Sequence, residues 1–150
     1  MKTLYKESIG RYIAIIHRSS HGILEKKLSD AGIGRGQYDF LFVIGRHEGL
    51  NQKELAKKLS IGKSTTAKVV KNLVKLGFIK RVVDEQDKRN YHLYLTEKGK
   101  EFKPQLDQTF EDMLNVISKE FSEEEYQLLL MGLKKVATNM RNEKERLNNL

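Results

Sequence analysis

Apolar and polar positions repeat along the first part of the chain with the period of an α-helix. The apolar residues recur three or four positions apart, which places them on one helical face. They are Tyr5, Ile9, Tyr12, Ile13, Ile16, Ile23, Leu24 and Leu28. This spacing predicts one long helix that ends near Asp30, before a glycine-rich segment at 32–36. A second, strongly apolar helix is predicted over Gln37–Arg46, closed by Gly49.

The next pattern indicates a pair of short helices followed by two strands. Asn51 is a candidate N-cap with Glu54 three residues later, in the spacing of a capping box. The predicted elements are helices over Gln52–Leu59 and from Lys63 or Ser64 to Leu76, and β-type runs over 78–83 and 91–95. Gly77 is the expected C′ glycine of the second helix, and residues 84–90 form a polar hairpin. This is the element order of a winged helix-turn-helix.

Two further long helices are predicted in the last third. One starts at Thr96 and contains Pro104, which is expected to bend it, and the other starts after Ser122. The terminal helices carry more apolar surface than the central helix-turn-helix and hairpin can cover. We therefore predict that these helices pack together and against a second copy of the chain. The predicted fold class is mainly α with a small β-hairpin wing. Within a single domain, 1–150, we assign dimerisation helices to 1–35 and 100–150, a DNA-binding region to 36–99, the helix-turn-helix to 51–77 and the wing to 78–95.

Positive charge is concentrated in the middle of the chain. The sequence carries 28 Lys and Arg against 20 Asp and Glu, a formal net charge of +8. Residues 51–100 hold 13 basic and 5 acidic side chains, residues 1–50 hold 8 and 5, and residues 101–150 hold 7 and 10. A concentrated excess predicts a positive face that attracts a polyanion. Nucleic acid is the leading partner, and an anionic membrane surface is the alternative.

Several functional classes are excluded by what the sequence lacks. With no cysteine, it can form no disulfide framework, thiolate metal site or thiol redox sensor. It contains no secretory signal and no apolar run of about 20 residues, so we expect a soluble cytoplasmic protein. The outer face of the helix over Ser64–Leu76 lacks the aromatic or leucine stripe that would insert into a membrane surface, so we expect no membrane contact. It also has no P-loop, dinucleotide, zinc-protease or serine-hydrolase motif, which argues against a small basic enzyme and predicts no cofactor.

The second short helix sorts into two faces. The residues expected to pack on the preceding helix are Ala67, Val70, Leu73, Val74 and Gly77. The opposite face carries Ser64, Thr65, Lys68, Lys71, Asn72 and Lys75. Short hydrogen-bonding groups near the N-terminus and lysines further along suit a helix that enters a major groove, with the lysines on phosphates. A solvated lysine-rich face is the alternative interpretation.

The hairpin supplies a second cationic element. Its tip is Asp87-Lys88-Arg89, and Arg89 is free to extend from the body as a permanently charged probe. A narrow minor groove favours an inserted arginine. A carboxylate two residues earlier can accept hydrogen bonds from the guanidinium and fix its direction. An ordinary charged turn is the alternative for this segment alone.

These segments together resemble the MarR family of bacterial and archaeal transcriptional regulators. The resemblance rests on LAKKLSIGKSTT at 55–66, LVKLGFI at 73–79, the D-x-x-D-x-R wing at 84–89 and LTEKG at 95–99. It implies a homodimer on a pseudo-palindromic DNA operator, usually a repressor, often released by a small phenolic or anionic effector. The residues that we assign to double-stranded DNA are Lys63, Ser64, Thr65, Thr66, Lys68, Lys71, Asn72 and Lys75 in the helix, and Asp87, Lys88 and Arg89 in the wing.

A candidate effector site lies between the first two predicted helices. His17, Arg18 and His21 are expected near Tyr38, and a cation beside an aromatic ring could bind an aromatic carboxylate. Surface or interhelix hydrogen bonds are the alternative for these side chains. His17 and His21 are also four apart, so both could face one metal if a third ligand came from Glu25 or the last two helices. A metal-responsive regulator of the same fold is therefore a second possibility, although we assign no metal site.

Overall fold

This computed structural model describes residues 8–34 and 36–150, and Tyr5, assigned above to the first helix, lies outside them. The described chain forms six α-helices and one two-stranded antiparallel sheet. They are α1 (Ile9–Leu28), α2 (Tyr38–Arg46), α3 (Gln52–Leu59), α4 (Lys63–Lys75), β1 (Ile79–Val83), β2 (Tyr91–Leu95), α5 (Glu97–Ser118) and α6 (Glu123–Asn148). A 3₁₀ turn, Ser29–Ala31, follows α1. The mainly helical architecture with one β-hairpin agrees with the prediction.

Local chemistry sets several of the helix ends. At α3, Asn51 Oδ1 accepts from the Glu54 backbone N at 2.9 Å, and Glu54 Oε2 accepts from the Asn51 backbone N at 2.9 Å. The predicted capping box is therefore present. Ser122 and Glu125 form a second capping box at α6. After α4, Gly77 has a φ of +81°, the left-handed conformation that a C′ glycine adopts at little cost.

The chain divides into two compact units, one ending at Glu111 and the other spanning Asp112–Leu150. The core of the first unit lies between α2, α3, α4 and the sheet. Its most completely buried apolar side chains are Phe40, Leu41, Ile44, Leu55, Val70, Leu73, Phe78, Ile79, Leu93 and Leu106. Burial of a large apolar side chain stabilises a fold by about 1.5–3 kcal/mol. This core holds the helix pair and the hairpin in one rigid arrangement.

The hairpin is tied to the start of the helix pair. Ile79 pairs with Leu95, and Val83 pairs with Tyr91. A short segment before α3 extends this ladder, because Gly49 N donates to Leu93 O at 2.8 Å and Leu93 N donates to the carbonyl of the next residue, Leu50, at 2.9 Å. The wing therefore projects from a root that is hydrogen-bonded to the N-terminal end of α3.

The LTEKG segment joins the hairpin to the end of α4. The Thr96 hydroxyl donates to Gly77 O and accepts from Gly99 N. Lys98 Nζ donates to Leu76 O at 2.7 Å, where it satisfies a carbonyl at the C-terminus of α4. Gly99 is buried, and a Cβ built on it would lie 2.2 Å from Phe78 O. Only glycine allows α5 to approach the backbone of Phe78, the residue before β1, this closely.

The buried face of α4 is rotated from the predicted one. Its buried residues are Thr66, Val69, Val70 and Leu73, a spacing of three, four and seven positions. Ala67 is exposed, so its assignment to the packed face was wrong, and Val74 is only half-buried. The family resemblance placed Thr66 on the outer face, whereas the buried helical stripe passes through it.

The second unit has little core of its own. None of the described residues of α6 is buried, and Leu128, Met131 and Met140 are 64%, 50% and 69% exposed.

None of the helices in the described part of the chain combines the length and the apolar character that a membrane span requires. α5 continues as one helix through Pro104.

Candidate nucleic-acid interface

The outer face of α4 presents a cationic surface. Its exposed polar residues are Lys63, Ser64, Thr65, Lys68, Lys71 and Lys75. No acidic residue stands in the first turn or elsewhere in this helix. After Lys63, the two short hydroxyl side chains lie near the N-terminus and the remaining lysines continue toward the C-terminus. This face can hydrogen-bond to base edges and neutralise phosphates.

Two residues assigned to the DNA-binding face of α4 instead form hydrogen bonds within the protein. Thr66 is fully buried, and its hydroxyl donates to Gly62 O at 2.9 Å. Its assignment as a DNA contact was wrong, because neither its hydroxyl nor its methyl group reaches the surface. Asn72 is half-buried, and its Nδ2 donates to Gln37 Oε1 at 2.6 Å. This contact links the recognition helix to the residue that precedes α2.

The wing tip holds one arginine in a defined direction. Arg89 is 92% exposed at its side chain, and Asp87 Oδ1 accepts from both its backbone N (3.1 Å) and its Nε (3.3 Å). The predicted contact between carboxylate and guanidinium is therefore present, and Lys88 is exposed beside it. Asp84 shapes the turn, because its Oδ1 accepts from the backbone N of Gln86 and Asp87 at 2.8 and 3.2 Å.

A groove connects the two cationic elements. It has a volume of about 250 Å³ and lies between the first residues of α3, the start of α4 and the wing. Its lining residues are Asn51, Gln52, Lys53, Lys63, Arg89, Asn90 and Tyr91. Three of these seven are basic and none is acidic, so the groove suits a phosphate backbone. Sequence reasoning missed Lys53, whose only signal was its place two residues after the N-cap.

Sequence reasoning also missed His92. Its Nδ1 lies 2.6 Å from Gly49 O, and its Nε2 lies 2.8 Å from Asp84 Oδ2. No local sequence pattern signals this contact, because it depends on the pairing of 91–95 with the segment before α3. His92 thus contacts both the helix pair and the wing.

The residues assigned to an effector are only partly brought together. The His17 and His21 rings are 4.2 Å apart between centroids, and Arg18 is exposed on the same helix. Tyr38 is 3% exposed, and its hydroxyl donates to Leu28 O at 3.0 Å. Its assignment to an open effector pocket was therefore wrong, because both its ring and its hydroxyl are used in the core.

An acidic residue that the sequence did not single out lies near the histidine pair. Burial raises the pKa of Asp39, and the neighbouring His21 and His17 act in the opposite direction. Nevertheless, over residues 8–34 and 36–150 no three His, Cys, Asp or Glu side chains are arranged to hold a metal ion. The third ligand that a metal at His17 and His21 would need is not assembled there.

Comparison with known proteins places this arrangement in a family. The MarR family model matches residues 31–90, which cover α2, the helix pair and the wing tip. The chain is 33% identical over 130 residues to YybA, an uncharacterized HTH-type transcriptional regulator of Bacillus subtilis (strain 168), and the match covers 87% of each protein.

Solved structures agree with this match. A MarR family transcriptional regulator from Listeria monocytogenes, complexed with 26mer DNA, superposes with a TM-score of 0.83 at 31% identity over 91% of each chain. A MarR protein from Peptoclostridium difficile gives a TM-score of 0.85 at 30% identity, covering 98% of this chain and 95% of that one. These matches, together with the cationic helix and the wing, show that the chain belongs to the MarR family and is a transcriptional regulator that binds DNA, not an enzyme.

Proposed function

We propose that the protein is a homodimeric repressor that binds a pseudo-palindromic operator and is released by a small anionic or phenolic effector. The α4 helices enter successive major grooves about 10 base pairs apart, and the wings reach the flanking minor grooves. The observation that carries this proposal is the continuous cationic surface of α4, the groove and Arg89. Its site of action is the cytoplasm, where bacterial and archaeal chromosomes lie.

The apolar surfaces of the terminal helices support a dimer. In α1, Ile9, Tyr12 and Ile16 are 63%, 51% and 54% exposed. In the second unit, large apolar side chains are exposed along the end of α5 and along α6. They are Leu114, Val116, Ile117, Leu128, Leu129, Met131, Leu133 and Met140. Apolar surface of this extent marks an interaction site. We assign it to contacts between two copies, with dimerisation in 1–35 and 100–150 and DNA binding in 36–99.

Selection of bound sites from random duplexes tests the whole proposal. A two-fold dimer with two recognition helices selects a symmetric consensus whose half-sites are one helical turn apart. An asymmetric consensus would reject the dimeric mode of binding. No enrichment at all would reject sequence-specific recognition.

Salt dependence tests the assignment of the lysines. Each lysine that neutralises a phosphate contributes about 0.9 to the slope of log affinity against log salt. We expect Lys68→Ala to flatten that slope by roughly one and to weaken binding evenly across sequences. Lys26→Ala, an exposed lysine of α1, is the matched control and should leave the slope unchanged. Equal slopes for all three proteins would remove Lys68 from the phosphate contacts.

The effector part of the proposal rests on the exposed cation beside the histidine pair. Because Arg18 can pair with a carboxylate, we expect Arg18→Ala to abolish release of the protein from DNA by aromatic carboxylates. The measurement is competition of bound operator by a panel that begins with benzoate, and Lys26→Ala again serves as the control. DNA affinity without the carboxylate should stay the same. Unchanged release by the Arg18 variant would place the effector elsewhere.

A further inference from the structure

His92 lies between two hydrogen-bond acceptors. Nδ1 is 2.6 Å from the carbonyl oxygen of Gly49, and Nε2 is 2.8 Å from the Asp84 carboxylate. A neutral imidazole carries one N–H and can therefore donate to only one of them. The doubly protonated ring donates to both. The geometry around His92 is thus complete only when the ring is an imidazolium.

The two acceptors belong to different parts of the DNA-binding surface. Gly49 lies in the segment that leads to Asn51, the N-cap of α3. Asp84 is the first residue of the wing turn, directly after β1, and its other carboxylate oxygen holds the part of the turn that contains Asp87. Asp87 in turn orients Arg89. His92 therefore joins the helix pair to the turn that directs the wing arginine.

The charges around this contact favour the protonated ring. The hydrogen bond to Asp84, then the one to Gly49, raises the pKa of His92, and the carboxylates of Asp84 and Glu54 add a smaller effect in the same direction, against partial desolvation. The hydrogen bond from His92 and those from Gln86 and Asp87 lower the pKa of Asp84. The two side chains are 33% and 27% exposed, so solvent screens the pair only in part.

We propose that His92 is a positioning residue whose protonated ring holds the wing tip in its DNA-binding geometry, so that operator affinity falls as the ring loses its proton. This inference rests on the proposed operator binding through Arg89. When one N–H is lost, one of the two contacts is lost with it, and the wing must be ordered again on binding. The cost of that ordering lowers affinity.

The sign of the pH dependence follows from the raised pKa of His92 and the lowered pKa of Asp84. Because the pKa of His92 is raised by folding, its contribution is complete below about pH 6.5, its ordinary value, and is lost as the pH rises through the folded-state value. The lowered pKa of Asp84 has its effect at the acid end, where its contribution is lost as the pH falls below about 3.9 toward its folded-state value. Over the range from about pH 6 to pH 9, only the first loss takes place.

The test measures affinity for a duplex selected from random sequences, at constant salt, from about pH 6 to pH 9. We expect the wild-type protein to lose about fivefold in affinity across this range, equivalent to ~1 kcal/mol. His92→Gln, which is neutral throughout, should start about fivefold weaker and show a flat profile. His47→Gln is the control, since His47 is an exposed histidine of the same DNA-binding region, and it should follow the wild type. A His92→Gln profile identical to the wild type would overturn the proposal.

Two further measurements separate positioning from a merely structural role. In an Arg89→Ala background, His92→Gln should cost almost nothing, because the arginine that it positions is absent. An undiminished loss in that background would also overturn the proposal. Without DNA, the backbone amide resonances of Asp87 and Arg89 should titrate together with the His92 ring, and this step should vanish in His92→Gln. If the wild type binds no duplex specifically, the proposed function fails, while this titration still decides the role of His92: a step confirms it, and its absence rejects it.

Discussion

Gly99→Ala is expected to lower the free energy of unfolding by about 3 kcal/mol or more, the largest stability effect among the substitutions considered for this protein. The added Cβ would lie 2.2 Å from Phe78 O and 3.2 Å from a methyl group of Leu95. The first neighbour is backbone, and it already accepts a hydrogen bond from Thr96 N at 3.0 Å. α5 must therefore move away from β1, which breaks this bond and opens the core. Chemical denaturation measures the loss.

Gly22→Ala is the matched control for that substitution. Gly22 also lies within an α-helix, but nothing lies within 4 Å of a Cβ built on it. Alanine is the better helix former by about 0.5–1 kcal/mol, so this variant should be slightly more stable than the wild type. Opposite signs for the two glycines would show that backbone approach, and not helix propensity, decides the outcome at Gly99. Equal effects at both positions would contradict the steric argument.

Arg89→Ala is expected to weaken operator binding by roughly 1–3 kcal/mol, or about 5- to 150-fold. The guanidinium is 92% exposed and is oriented by Asp87, so it enters a minor groove with little further ordering. Its removal also deletes the charge at one end of the groove between α3, α4 and the wing. Equilibrium binding to the selected duplex measures the loss, and the oligomeric state should not change.

Lys26→Ala and Arg89→Lys make that result specific. Lys26 is an exposed cation outside the interface described here, and its loss should change affinity by less than about twofold. Arg89→Lys keeps a positive charge but loses the Nε contact with Asp87, so it should fall between the wild type and the alanine variant. Similar losses of operator affinity for Lys26→Ala and Arg89→Ala would show that Arg89 contributes only positive charge and makes no specific contact through the wing.

The elements of the fold could be predicted because each is specified by nearby residues. The capping boxes at Asn51 and Ser122 and the C′ position of Gly77 depend on contacts within a few positions of the chain. The Asp87 to Arg89 contact is equally local. For the same reason the helix pair, the hairpin and the order of cations along α4 followed from the sequence.

The errors occur where distant segments meet. Thr66 was assigned to DNA on the family resemblance, and only the packed helix shows that its hydroxyl donates to Gly62 O in a buried position. Tyr38 bonds to Leu28 O, ten residues earlier, and His92 contacts Gly49, 43 residues earlier. Periodicity and composition contain no signal for such pairs, since they depend on how elements pack.

The bond between Asn72 and Gln37 fixes the roll of α4 about its own axis. A rotation of α4 that turned Asn72 outward would break its 2.6 Å hydrogen bond to Gln37 Oε1 and would expose the buried Thr66. In the proposed complex the helix therefore meets DNA with its orientation about its own axis already set, and the entropy of choosing that orientation is lost during folding and not during association. On this proposal its side chains present one fixed edge to the groove, so a base pair that does not match cannot be accommodated by a turn of the helix.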